Sequence, residues 1–211
     1  MKVLVISDVH GNLPALEIVL HKNKDVDLII SLGDVVNYGP WSNECVELLQ
    51  TQPNCIKIMG NHEEAFIAGN YLGTNEVAKA FFEFCYPKFN QNDVLKTYVE
   101  FYQEFDYTFI HTIQNMYVYS DTIINIDRNY CIGHSHRQFI KTINNYQLIN
   151  VGSVGQNRIN INEINYALFD TNTKIMDLKK LNFNSNALIV KMKDQGYPDI
   201  CLNYILSKQK I

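Results

Sequence analysis

At the start of the chain, short continuous apolar runs alternate with segments whose apolar residues recur at helical spacing. The run KVLVIS (2–7) is rich in β-branched residues and lacks polar alternation, the pattern of a strand covered on both faces. Leu13, Leu16 and Leu20 then repeat at helical intervals, with Pro14 tolerated in the first turn, so a helix is expected over 13–23. VDLIISLG (26–33) is a second buried-strand pattern. Another helix is expected over 42–51, with Ser42 as its cap and Cys45, Leu48 and Leu49 on one face. CIKIMG (55–60) supplies a third strand. This β-α-β-α-β rhythm predicts an α/β layered domain.

From about 63 to 105 the pattern turns helical and aromatic, in EVAKAFFEFCYPKF (76–89) and VLKTYVEFYQEF (94–105). Pro87 breaks the first helix, and Asn90 to Asp93 can start the second. Strands are then expected at YTFIH, MYVYS, NYCIG, QFIKTI, YQLINVG, NYALFD and TKIMDLKKL, with turns at 144–145 (NN) and 171–173 (TNT). One or two helices, interrupted at Gly196 and Pro198, fill 185–209. With no repeat or linker in view, a single domain over 1–211 carrying a helical excursion at 63–105 is the simplest organisation.

Composition narrows the function classes. At 211 residues and 46% hydrophobic, the chain can bury a substantial core. A formal charge of −4 gives no basic footprint for non-specific nucleic-acid binding. The five cysteines are scattered, with no CxxC pair, which argues against a structural zinc or a disulfide framework and fits a reducing compartment. No stretch approaches the length of a membrane span, so the expected location is cytoplasmic. Oligomeric state is left open.

Metal-capable side chains fall in a pattern that composition does not show. Asp8 and His10 follow the first strand, Asp34 the second, Asn61 and His62 the third, His111 the run YTFI, and His134 and His136 the run YCIG. Each alone is a weak signal, because Asp caps turns and a strand-end His is commonly just a satisfied imidazole. Together they line the carboxyl edge of the strands, where open α/β sheets bind ligands. Carboxylate, imidazole and amide oxygen form a ligand set for divalent manganese, iron or zinc. There are more of them than one ion needs. With Asp34 shared, two ions would each collect about four protein ligands and keep positions open for water and substrate.

In this order, DVHGN (8–12), GDVVNYGP (33–40), GNHE (60–63), IHT (110–112) and GHSH (133–136) resemble the calcineurin-like metallophosphoesterases. NYGP and the later NVGSVGQNR (150–158) look like their small bacterial and archaeal branch. The resemblance implies a four-layer α-β-β-α sandwich of two mixed sheets. It implies two divalent metal ions, manganese favoured over iron, zinc, nickel or magnesium. Asp8, His10 and His136 would hold the first ion, Asn61, His111 and His134 the second, with Asp34 bridging. His62 would be the catalytic histidine, and a hydroxide held between the ions would attack phosphorus.

The block GDVVNYGP departs from the G-D-x-x-D-R-G of protein serine/threonine phosphatases: Asn37 stands at the second aspartate and the arginine is missing. Asn37 could still accept a hydrogen bond from His62. Thr112 stands where the family usually has glycine. The expected activity is hydrolysis of a small phosphoester, a phosphodiester or nucleotide, with Arg158, Tyr38 and Asn37 as candidate substrate-side residues. Arg137, Pro40 and Trp41 lie nearby in sequence, and the aromatic helices offer a wall or lid. A protein serine/threonine phosphatase and a metal-free binding scaffold are the alternatives.

Overall fold

The computed structural model describes residues 1–210; position 211, the end of the expected domain, lies outside the described residues. The chain opens with β1 (Lys2–Ile6), α1 (Leu13–Lys22), β2 (Leu28–Ser31), α2 (Ser42–Gln50) and β3 (Cys55–Lys57), and the three strands pair in parallel as the sequence rhythm predicts. Next come α3 (Asn61–Ala68), α4 (Glu76–Cys85), a 3₁₀ turn at Tyr86–Lys88 that carries Pro87, and the single-turn α5 (Asn92–Leu95). β4 (Phe101–Glu104), β5 (Tyr107–Ile110), β6 (Asn129–Ile132), β7 (Phe139–Ile143) and β8 (Tyr146–Asn150) follow. β9 (Glu163–Asp170), β10 (Ile175–Asn182), α6 (Asn186–Asp194) and α7 (Asp199–Leu206) complete the described chain.

The strands form two mixed five-stranded sheets, ordered β10-β9-β1-β2-β3 and β4-β5-β6-β8-β7. Val3, Val5, Ile30, Phe109, Cys131, Ile149 and Phe169 are buried between them. The opposite face of β1 presents Leu4 and Ile6 to a second core built with Leu16, Val46, Phe81 and Met192 of the helices. β1 therefore needs apolar side chains at consecutive positions, which is why its sequence does not alternate. On the outer face of the second sheet, Val118 and Ile126 of the irregular segment 112–128 cover Ile132, Phe139 and Leu148. Chain without regular structure makes that layer, in place of helix.

Three local expectations are corrected. The segment 94–105 is not one helix: after α5, Phe101–Glu104 pairs antiparallel with β5, Phe101 opposite Ile110. Its aromatic spacing fits either period, and the exposed edge of β5 decides the outcome. MYVYS forms no strand; it packs Val118 against the sheet as irregular chain. Ser42 does not cap α2, which follows Trp41 without a side-chain cap. Its hydroxyl instead accepts the Asn37 N–H at 3.0 Å and shapes the loop beyond β2. The aromatic side chains of α4 are core: Phe81 and Phe82 are buried.

Phe169 is fully buried, edge-on to Tyr107 at 5.5 Å and to Phe105 at 6.0 Å between centroids. Phe169→Ala is expected to cost about 3–5 kcal/mol. Urea unfolding monitored by circular dichroism should show the midpoint falling; an unchanged midpoint would mean the two sheets do not depend on this contact.

Candidate metal centre and active site

The carboxyl ends of β1, β2 and β3 in one sheet and of β5 and β6 in the other deliver the polar residues to one place. The chain must turn sharply there. Asp8, His10, Asp34, His134 and His136 all have positive φ, between 48° and 65°. For a non-glycine residue that conformation costs roughly 1–2 kcal/mol, and such strain collects at functional sites. Hydrogen bonds between loops hold it: Asp8 N–H donates to Gly33 O (3.0 Å), His10 N–H to Asp34 O (2.9 Å), and His134 N–H to the Asp8 carboxylate (3.0 Å). Gly133 itself is not left-handed. It is glycine because a Cβ there would lie 1.9 Å from Ser7 Oγ and 2.6 Å from Asp8 Oδ2, so the requirement is close approach rather than backbone freedom.

The buried ligand atoms gather in two groups that share one residue. Asp8, His10, Asp34 and His136 make the first, and Asp34, His111 and His134 the second, the atoms within each lying no more than 4.8 Å apart. Asn61 joins the second group, its Oδ1 3.0 Å from His111 Nε2. The proton positions follow from backbone partners. His10 Nδ1 donates to Val36 O (3.1 Å), His111 Nδ1 to Leu32 O (2.8 Å) and His136 Nδ1 to Gln156 O (2.6 Å). A carbonyl can only accept, so each neutral ring turns an unprotonated Nε2 toward the cluster. His10 Nε2 and His136 Nε2 then face each other at 3.2 Å, beside an Asp8 Oδ1 with no hydrogen-bond partner. Lone pairs converging on lone pairs and carboxylates fit a cation.

The electrostatics agree. Burial alone would raise both carboxyls, but His136 holds Asp8, and His111 holds Asp34, well below the ordinary carboxylate range. Burial lowers His10 and His136 and brings His134 down to about 3. Burial acts on His111 in the same direction, yet the Asp34 carboxylate lifts it to about 10, so without an ion beside it a proton occupies Nε2 where a cation would otherwise sit. Negative charge concentrated on Asp34 recruits positive charge to its side.

His62 stands at the rim of the first group, its Nε2 3.9 Å from Asp34 Oδ2 and its backbone N–H donating to Asp34 Oδ1 (3.0 Å). Burial pushes its imidazole below the usual value, with Asp34 opposing. Asn37 Nδ2 donates to His62 Nδ1 at 2.9 Å, and Asn37 Oδ1 is left buried without a partner. The ring of Tyr38 is buried, 4.7 Å from His10 and 5.3 Å from His62. Arg158 donates to the Tyr204 hydroxyl (2.7 Å), and its charge is felt at His136. Trp41 packs into the helical core, and Thr112 bonds to Met116 O, closing the turn after β5.

Residues 1–174 match the family model for the calcineurin-like phosphoesterase superfamily domain. The chain belongs to that superfamily. Among curated proteins, the phosphoesterase chain is 28% identical to the uncharacterized protein MJ0912 of Methanocaldococcus jannaschii, covering 93% of this chain and 94% of that one. It is 38% identical to serine/threonine-protein phosphatase 2 of Escherichia coli over 31% of this chain and 33% of the other. Among solved structures, a metallophosphoesterase from Sphaerobacter thermophilus superposes with a TM-score of 0.77 at 26% identity, covering 98% of both chains.

Several residues that shape this phosphoesterase site escaped the sequence reading. Glu63 is fully buried and accepts N–H bonds from Asp34 (2.7 Å), Val35 (2.7 Å), Val36 (3.1 Å) and Gly60 (2.9 Å). Its place directly after GNH was the available signal. Asn150 donates to Gly133 O and Ser135 Oγ, and Ser153 Oγ to Asp8 O, so the block NVGSVGQNR ties down both ends of the first group. Tyr71 and Tyr117 stand over His62 and His134, and Tyr204 comes from the last helix; no local pattern marks these three.

If each group holds one divalent ion, His136→Ala and His134→Ala should each remove a different one. Metal analysis after manganese loading should give about two ions per chain for the parent and about one for either variant. Loss of both ions from either single variant would contradict two separable positions.

Proposed function

We propose that this chain is a metal-dependent phosphoesterase that hydrolyses a small phosphoester, a phosphodiester or a nucleotide, using two divalent ions with manganese favoured. The observation that carries the reading is the pair of ligand groups sharing Asp34, with the Nε2 atoms of His10, His111 and His136 turned inward by backbone carbonyls. Asp8, His10, Asp34 and His136 would hold one ion; Asp34, Asn61, His111 and His134 the other. Bound there, the ions would acidify a water and offset the charge on the phosphate oxygens. The remaining work falls to the chain. His62, donating from Nε2, protonates or hydrogen-bonds the leaving oxygen. Asn37 fixes the plane and tautomer of that ring through Nδ1. Arg158, oriented by Tyr204, meets phosphate oxygens outside the cluster. No serine or cysteine nucleophile is required, so no phosphoenzyme forms.

The protein-phosphatase alternative draws support from the partial match to the Escherichia coli phosphatase. Against it stands the neutral Asn37 and the missing arginine in GDVVNYGP, which removes a bidentate phosphate clamp. Manganese-loaded protein is expected to cleave bis(p-nitrophenyl) phosphate or p-nitrophenyl phosphate at least tenfold faster, in kcat/KM, than a phosphoserine peptide. A preference for the peptide would reverse the order of the readings, and a protein that takes up no metal and cleaves nothing would favour a binding scaffold. His62→Ala should lower kcat about 10²–10⁴-fold with metal content unchanged. Full turnover in that variant would remove His62 from the chemistry.

A further inference from the structure

A cleft of about 590 Å³ opens beside the ligand groups, between the loop that precedes α4 and the irregular segment after β5. That volume is in the range of small-molecule sites. Its walls carry Tyr71, Tyr117, Tyr119, Arg137 and Arg158, and no acidic side chain lines it. Two features are unexplained by folding. Tyr117 is 53% exposed and Tyr119 40% exposed, so neither ring is there to fill the core. Tyr117 nonetheless lies parallel to the His134 ring at 4.1 Å and 23°, and Tyr71 parallel to His62 at 6.4 Å and 19°. Aromatic faces therefore start at the ligand groups and continue outward.

The second feature is charge. In a chain of net charge −4, two guanidiniums enter one cleft, and among the described residues neither forms an ion pair with a carboxylate. Arg158 spends one N–H on the Tyr204 hydroxyl, a neutral acceptor that orients it without cancelling its charge. Lys208, just past the end of α7, lies 4.8 Å over the Tyr204 ring. Burial and then the Arg158 charge bring its ammonium down to about 7. Guanidinium forks that meet no carboxylate keep N–H donors for an anionic ligand entering the cleft.

We propose that this cleft is a nucleotide subsite: a nucleobase lies against Tyr71, Tyr117 and Tyr119, and a second phosphate, beyond the one presented to the Asp34 groups, pairs with Arg158 and Arg137. The inference rests on the phosphoesterase reading above and narrows its substrate class to nucleotides with at least two phosphates. The exposed tyrosines supply sequence-tolerant stacking, and the guanidinium forks match phosphate oxygens.

The test uses full-length, manganese-loaded protein and calorimetry with three probes: α,β-methylene-ADP, methylenediphosphonate as the same charge without a base, and adenosine as the base without charge. The nucleotide analogue should bind about 5- to 100-fold more tightly than methylenediphosphonate, the range base–aromatic stacking supplies. The double variant Tyr71→Leu/Tyr117→Leu should bring that ratio close to one. Arg158→Gln should weaken both phosphonates about tenfold or more and leave adenosine unchanged. Thermal melting confirms that each variant is folded. Equal affinity for the two phosphonates in the parent protein, or an unchanged ratio in the tyrosine variant, would overturn the subsite. Hydrolysis of bis(p-nitrophenyl) phosphate separates the two readings: turnover without base preference sinks the subsite alone, and base preference without turnover of any ester supports the subsite and overturns the phosphoesterase reading.

Discussion

The site is organised around the carboxylate of Asp34, which belongs to both ligand groups. Oδ2 lies 3.3 Å from His111 Nε2 and 3.8 Å from His10 Nε2, while Oδ1 accepts the His62 N–H. Taking such a charge out of water costs several kcal/mol unless its surroundings answer it. The surroundings answer from the backbone as well as the side chains. The Asp34 N–H donates to Glu63, and the Asp34 carbonyl accepts from His10. Glu63 is a second buried carboxylate nearby; burial and then Asp34 push it up to about 7. Four backbone N–H groups on its two oxygens oppose that shift and clamp the loops after β2 and β3 together. Gly60 has no room for a Cβ, which would fall 2.3 Å from Asp34 Oδ1. The position of one carboxylate thus fixes the sequence of two loops.

The histidines extend the same logic across the fold. Each imidazole that offers Nε2 is steered by a carbonyl from a different loop: His10 after β1 by Val36 after β2, His111 after β5 by Leu32 at the end of β2, His136 after β6 by Gln156 after β8. His111 directly follows a strand of the second sheet and Leu32 directly follows one of the first, so this bond also joins the sheets at their carboxyl edge. A one-residue slip of β1, β2, β5 or β6 against its neighbour would turn a ligand to the opposite face and break its steering bond at once. Register, apolar pattern and ligand geometry are therefore one constraint, and the left-handed residues are where the chain absorbs its strain.

That coupling explains what could be read from the sequence. β1 and β2 announce themselves because both faces are buried, and the ligand candidates stand at strand ends, where polarity changes abruptly. Asp8, Asp34, His134 and the others are brought together as their placement suggests. What stayed hidden depends on partners remote in sequence. Phe101–Glu104 becomes a strand because β5 offers it an edge, and its own spacing is equally good for a helix. Val118 and Tyr117 look like a strand but serve a cover and a cleft. Tyr204 reaches Arg158 across 46 positions, a contact that no motif encodes.

Asn37 shows how a departure from a related pattern can be physically useful. A carboxylate at this position would be a further buried anion within the reach of Asp34 and Glu63, and it could only accept from His62. The amide does both. As observed, Nδ2 donates to His62 Nδ1, which places the proton of a neutral ring on Nε2, the nitrogen that faces Asp34. Rotating the amide by 180° exchanges its oxygen and nitrogen. Oδ1, buried and without a partner in the observed orientation, would then accept from Nδ1–H of a doubly protonated ring. Leaving a buried acceptor unsatisfied costs about 1–3 kcal/mol. In the rotated orientation Oδ1 gains a partner, and Asn37 can stay bonded to His62 in either protonation state. A partner of this kind would suit the proton exchange proposed for His62.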